Sequence, residues 1–203
     1  MRIAILADPL DNQSAGIHVY TRELLRAMTQ INTAHEFIIV RAKAGTEDFG
    51  TAEQIIVPIK SFPPFHLRIR QLWTIPKILV QKKVDVVIEP AHFGPFNLPK
   101  HIKRVTVIHD LTPLLFPAFH PFMSVLFHQR FLKGALQKTD LVLTNSAHTA
   151  KDVVEQFPFT ENKIKAILLG KDESYCPTEK PEILTKYKIS QPYILFMLSL
   201  IHI

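Results

Sequence analysis

Arg2-Ile3-Ala4-Ile5-Leu6-Ala7, the polar run Asp8 to Gly16 and the pattern Ile17 to Gln30 decide the fold between them. The opening run is apolar past its first residue, as expected of a strand buried on both faces of a sheet. In the third segment Val19, Leu24, Leu25 and Met28 recur at roughly helical spacing. A buried strand, a loop and an amphipathic helix are how a parallel α/β unit begins.

Working outward, the alternation repeats. Glu36 to Arg41 and Gln54 to Pro58 read as strands, and Phe62-Pro63-Pro64-Phe65 as a turn leading into a basic helix that ends near Lys83. Val84 to Ile88, Lys103 to His109, Asp140 to Thr144 and Lys163 to Leu168 are further strands, with helices at Phe119 to Lys138 and Ala147 to Phe157 between the later ones. The expected fold is α/β, a Rossmann-like parallel sheet with helices on both faces. It occupies residues 1–169; residues 170–191 read as a linker with a short helical stretch near Glu182 to Lys188. Residues 192–203 read as the first strand of another domain plus a tail. No solenoid repeat is present.

In parallel α/β sheets ligands sit outside the carboxyl ends of the strands, so the loops there carry the candidate chemistry. Gly16 opens a helix, where backbone can approach a ligand and N–H groups favour anions; an ordinary strand-to-helix turn explains it equally. The single glycine is not a G-x-G-x-x-G fingerprint, which disfavours a dinucleotide dehydrogenase. His109-Asp110 at a strand end can donate to and accept from hydroxyls or phosphate, or serve as a turn histidine and a local cap. Asn145-Ser146 can bind a ligand or cap the helix that follows.

The remaining signals exclude more than they assign. His66, His92, His101, His120, His128 and His148 have no zinc spacing, so no metal is expected. Neither a P-loop nor a G-x-S-x-G elbow occurs. The helix from Pro64 to Lys83 mixes Trp73 and aliphatics with Arg68, Arg70, Lys77, Lys82 and Lys83, and suits either an anionic bilayer or the flank of a sheet. The chain has 203 residues, 47% hydrophobic and 21% charged, enough for a core without disorder. Its one cysteine, Cys176, excludes an internal disulfide framework and fits a reducing cytoplasm. No apolar run reaches a membrane-spanning length. The net charge of +6 favours an anionic partner, but the sequence has no nucleic-acid recognition motif.

Four segments, in order, carry a resemblance. Gly16-Ile17-His18-Val19-Tyr20-Thr21-Arg22-Glu23-Leu24-Leu25 resembles the "GIGRYTRELL" segment of GT-B glycosyltransferases of family 4. Val107 to Leu114 is similar to their "HDL-x-P" loop, Leu143 to Val153 to their "xSxFTxxDL" segment, and Leu169 to Pro177 to their "GVDxxFxP" interdomain linker. His18 and Val19 depart from the small or basic residues usual after the glycine.

The resemblance implies two Rossmann-like domains facing across a cleft, and transfer of a hexosyl group with retention from a nucleotide-diphosphate sugar to a glycan or lipid-linked acceptor in cell-surface polysaccharide synthesis. It implies no cofactor beyond that donor. Carried over, His109 and Asp110 are the catalytic candidates, His109 approaching the donor sugar and Asp110 supporting its loop. Gly16 lies near the diphosphate and the acceptor, with Ile17, Tyr20, Asn145 and Ser146 as further substrate-binding positions. The basic residues and paired glutamates that hold the donor belong to the second domain, so this chain alone is expected to be inactive. A cytoplasmic location at the inner membrane face, with peripheral membrane contact, is also expected. The alternative is a non-catalytic sugar- or lipid-binding domain.

In the family, a strand like Tyr193 to Phe196 continues into a glycine-containing loop. Here Leu198-Ser199-Leu200-Ile201-His202-Ile203 follows, which is also the translation of CTG TCT CTT ATA CAC ATC, the end of a common transposase-based sequencing adapter. That tail is therefore expected to be non-native.

Overall fold

β1 (Arg2–Leu6) is apolar because both its faces are covered. Ile3 and Ile5 pack with Leu25 of one helix, α2 (Ala15–Gln30), while Ala4 and Leu6 pack with Ile75 and Leu79 of another, α3 (Ile75–Gln81). Side chains alternate across a strand, so a helix on each face demands an unbroken apolar run. The computed structural model describes residues 1–12, 15–31, 34–59, 69–95, 97–171, 176, 181–190 and 192–194.

Around β1 the described residues form a seven-stranded parallel sheet, with β2 (Glu36–Arg41), β3 (Glu53–Ile56), β4 (Val86–Glu89), β5 (Lys103–Ile108), β6 (Leu141–Thr144) and β7 (Ile164–Ala166). Their spatial order is β3-β2-β1-β4-β5-β6-β7. The chain therefore builds outward from β1 on one side, returns, and builds outward on the other. β1 pairs with β2 through Ile3–Phe37 and with β4 through Ile3–Val86. A third cluster joins Ile108 and Val142 to Leu132 and Leu136 of α5 (Phe122–Gln137) and Val153 of α6 (Ala147–Gln156).

Several boundaries differ from the sequence reading. The expected loop Asp8 to Gly16 begins as a single helical turn, α1 (Asp8–Asn12). Its stability comes from remote arginines. Asp8 takes a bidentate pair from Arg70 at 2.6 and 2.7 Å. Asp11 accepts from Arg41 at 2.7 and 2.9 Å, and from the amides of Ala42 and Lys43. Leu10 between them is buried. Partners so distant in sequence leave no local signal.

The helix expected up to Lys83 is, in its described part, a π turn (Arg70–Thr74) running into α3. Pro76 has no N–H to donate back to the preceding turn, and the ladder widens there so that the Ile75 amide bonds Arg70 O. Its start, residues 64–68, lies outside the described residues. Ile75 and Leu79 spend the apolar stripe of α3 on the sheet. The helix expected over Phe119 to Lys138 is also interrupted. A 3₁₀ turn (Pro117–Phe119) precedes Pro121, whose extended backbone caps α5. A short helix, α4 (Thr112–Leu115), stands before that turn.

The chain divides into two units, Met1–Leu168 and Leu169–Ile203. The second contains α7 (Pro181–Lys186), near the expected helical stretch. Pro192 to Ile194 have no regular element, and residues 195–203, with the proposed adapter-like tail, lie outside the described residues. None of the described helices is long and apolar enough to cross a membrane.

The Arg41–Asp11 pair is 3% exposed on both sides. Asp11→Ala leaves the buried Arg41 guanidinium with Glu47 as its remaining carboxylate and strips two amides of their acceptor, and a loss of about 2–4 kcal/mol is expected by urea denaturation. Glu36→Ala, at the open Arg2–Glu36 pair, is expected to cost no more than about 1 kcal/mol.

Candidate functional site

The strand order reverses between β1 and β4, and the crevice outside their carboxyl ends is where an open α/β sheet receives ligands. A cavity of about 260 Å³ lies there. Leu6, Asp8 and Pro9 line it from the end of β1, Ile17 from α2, Arg70, Gln71 and Ile75 from the π turn and α3, and Glu89 to Ala91 with Phe93 to Pro95 from the end of β4.

Two ion pairs, one fully buried and one with a half-buried carboxylate, hold its walls. Arg70, 1% exposed, grips Asp8 and donates from Nε to Val57 O at 2.7 Å. Glu89, also 1% exposed, meets Arg104 at 2.6 Å and accepts from the Thr106 hydroxyl at 2.8 Å. Burial pushes the Glu89 carboxyl up, and Arg104 and Thr106 act against that. Gly94 closes over this carboxylate. A Cβ at that position would stand 2.3 Å from Glu89 Cδ, and the ion-paired, hydrogen-bonded Glu89 side chain would have to move to admit it.

Beside the cavity three histidines form a hydrogen-bonded chain. His92, buried and held at φ 55°, approaches the backbone amide of His109, 3.0 Å from its Nε2. An amide only donates, so His92 Nε2 accepts and its proton resides on Nδ1. That Nδ1 donates to His128 Nε2 at 3.3 Å, and His128 Nδ1 donates to Ser124 O at 2.8 Å. His109 Nε2 donates to Pro90 O at 2.7 Å. This arrangement leaves His109 Nδ1 with a lone pair. The Tyr20 ring meets the His109 ring edge-on at 4.8 Å, and the His92 ring stacks on it at 5.8 Å.

The electrostatics keep His92 and His109 neutral. Burial, with His109 and His128 nearby, pushes His92 down to about 4. Burial also lowers His109, against the opposing pull of Pro90 O and Asp110. Burial tends to raise the Asp110 carboxyl, but the Thr112 hydroxyl and amide and the nearby His92 and His120 bring it below its ordinary value. At neutral pH His109 is therefore an uncharged ring that can accept from a hydroxyl.

The sequence-derived positions sort as follows. Ile17 lines the cavity, and Tyr20 braces His109. Gly16 is in the first turn of α2, where an added Cβ would meet no atom within 4 Å. Asp110 does not bond His109. Its Oδ1 accepts from the Thr112 amide at 2.9 Å and the Thr112 hydroxyl, fixing the start of α4. Ser146 caps α6 by accepting from the Thr149 amide at 3.0 Å, and the Thr149 hydroxyl reaches Asn145 at 3.5 Å and His109 O at 3.3 Å. Asn145 and Ser146 thus join the His109 loop through Thr149. Sequence reasoning missed Glu89, His92, Arg104 and His128. For His92 one signal existed, since it follows a strand and precedes Gly94-Pro95.

A histidine held unprotonated in the fold costs stability once the unfolded chain can bind a proton. For His92 the loss begins as pH falls through about 6.5 and is complete below about 4. It should amount to roughly 3 kcal/mol. His92→Asn keeps a residue that tolerates positive φ. The difference between wild-type and variant stability curves, from denaturant melts at stepped pH, should show this slope in that window only.

Residues 14–175 match the family model described as Glycosyltransferase Family 4. Over 112 residues the chain is 29% identical to O-antigen chain mannosyltransferase B of Escherichia coli, a match covering 52% of this chain and 29% of that protein. A solved glycosyltransferase from Rickettsia africae ESF-5 aligns with a TM-score of 0.45 and 16% identity, over 94% of this chain and 50% of that one. The match thus spans half or less of the length of each relative. The family match takes in every strand-end loop described above except the turn that directly follows β1. The chain belongs to glycosyltransferase family 4.

Proposed function

We propose that this chain is the acceptor-side part of a retaining hexosyltransferase that uses a nucleotide-diphosphate sugar and a glycan or lipid-linked acceptor, in cell-surface polysaccharide synthesis. The observation that carries the reading is His109, held neutral between Pro90 O and the His92 ring at the edge of a crevice at the sheet's switch point. A sugar presents hydroxyls, and a ring nitrogen with a lone pair accepts from one without the cost of burying a charge. The first turn of α2, with open space at Gly16, suits an approaching diphosphate or acceptor hydroxyl. The relative's name, which specifies a mannosyl group and an O-antigen chain, supports a hexose and a surface glycan.

In a retaining transfer of this kind the larger demand is charge stabilisation on the departing diphosphate, not a protein nucleophile. On this reading the chain contributes acceptor binding and the His109 contact. Donor binding and turnover need further groups from a second domain. Work at the inner, cytoplasmic face of a membrane, in peripheral contact with it, follows from a lipid-linked acceptor, and the single cysteine fits that reducing compartment.

The test is titration of the chain with mannose-containing oligosaccharides, followed by amide NMR. Shifts are expected around Ile17, Tyr20 and His109. His109→Ala should weaken binding about three- to tenfold, the worth of one neutral hydrogen bond. Gly16→Ala should leave stability equal or raise it by up to about 1 kcal/mol while weakening the ligand, because the new methyl enters only the ligand's space. Shifts confined to other surfaces, with both variants binding normally, would contradict the assignment.

A further inference from the structure

α5 buries Leu132, Ala135 and Leu136 on one side. Its other side is graded along the axis. In the first two turns Phe122 is 75% exposed, Met123 66%, Leu126 44% and Phe127 37%. Just before it Phe116 and Phe119 are 55% and 85% exposed. One to two turns further on, the same outward arc carries Arg130 and Lys133, since positions 122, 126, 130 and 133 share a helix face. Contiguous apolar side chains on this scale mark an interaction surface.

The charge around this surface selects the occupant. From Leu111 to Thr139 there is no acidic residue, while Arg130, Lys133 and Lys138 are cations. A second copy docked symmetrically would set one basic stripe against another with no carboxylate between them. An anionic bilayer offers the opposite, an apolar interior under a negative surface. We infer that the outward face of α5, with the preceding turn, docks onto an anionic lipid bilayer.

The gradient fixes the pose. Phe122 and Arg130 are about 12 Å apart along the helix, from the rise per residue. The helix therefore enters with its N-terminal end tilted down, Phe119, Phe122 and Met123 at the acyl boundary and Arg130 and Lys133 among the phosphates. This surface is continuous with the candidate site. The Phe127 ring packs on Phe93 at 5.1 Å, Phe93 lines the cavity, and His128 holds His92. A docked chain would present the crevice close to the headgroups, where a lipid-linked acceptor carries its sugars. The inference deepens the membrane contact proposed above and rests on that reading, and it locates the contact on α5 instead of the Pro64 to Lys83 segment.

The experiment is sedimentation of the chain with vesicles of phosphatidylcholine alone or mixed with phosphatidylglycerol. Binding is expected to the mixed vesicles and to weaken with salt. The exposed pair Phe119→Ser with Phe122→Ser should reduce partitioning at least about tenfold. Arg130→Gln with Lys133→Gln should reduce it by a similar factor, at about fivefold per charge. Trp73 is the chain's one tryptophan, so Trp73→Phe with Phe122→Trp places a single reporter at the buried end. Its emission should shift to the blue on mixed vesicles. Three outcomes would overturn the inference: no vesicle binding, binding indifferent to both pairs, or self-association abolished by the phenylalanine pair. The oligosaccharide titration is read without lipid, so failure here leaves the acceptor reading to stand or fall separately.

Discussion

Parallel pairing of β1 on both its edges is the constraint on which the rest of the molecule depends. A strand with neighbours on both edges and helices on both faces exposes only its ends. Whatever follows Leu6 must then emerge into the gap where the sheet changes direction. The segment that emerges is Asp8 to Asn12, a turn too short to hold itself, and two buried arginines from elsewhere in the chain pin its carboxylates. That fixed turn forms one wall of the crevice. The loop folded over Glu89 forms the other, and its closeness is set by a glycine at 94. The cavity is thus a consequence of sheet order, with its shape set by two ion pairs.

The histidine chain applies the same economy to chemistry. A buried imidazole is costly when charged, so His92 and His109 are held neutral, and each proton position follows from the hydrogen bond beyond it. Ser124 O fixes His128, His128 fixes His92, and His92 accepts from the His109 backbone. Pro90 O then fixes the His109 ring itself. A hydroxyl-accepting nitrogen at a strand end thereby comes with its tautomer already chosen, which is a form of preorganisation.

Much of the fold was legible from the sequence because its cause is local. The apolar run Arg2 to Ala7, the runs at Val84 to Ile88 and Asp140 to Thr144, and the period of Ile17 to Gln30 each report burial directly. The α1 turn was not legible, since Asp8 and Asp11 look like loop residues until Arg70 and Arg41 arrive from 62 and 30 positions away. The break before Phe122 could have been read from Pro121, which a helix interior excludes. At the site, His109 and Asp110 stood out as a pair at a strand end, yet they act apart, one toward Pro90 and one toward Thr112. His92 and His128 were visible only as histidines without zinc spacing. Their meaning comes from a tertiary contact between the β4 loop and α5.

The most direct measurement is long-range proton–nitrogen NMR of the histidine rings at neutral pH, which reports protonation at each ring nitrogen. A neutral His109 with its proton on Nε2, beside His92 and His128 protonated on Nδ1, is the expected result. A His109 cation, or a neutral ring with the proton on Nδ1, would contradict it and remove the hydroxyl-accepting nitrogen from the site.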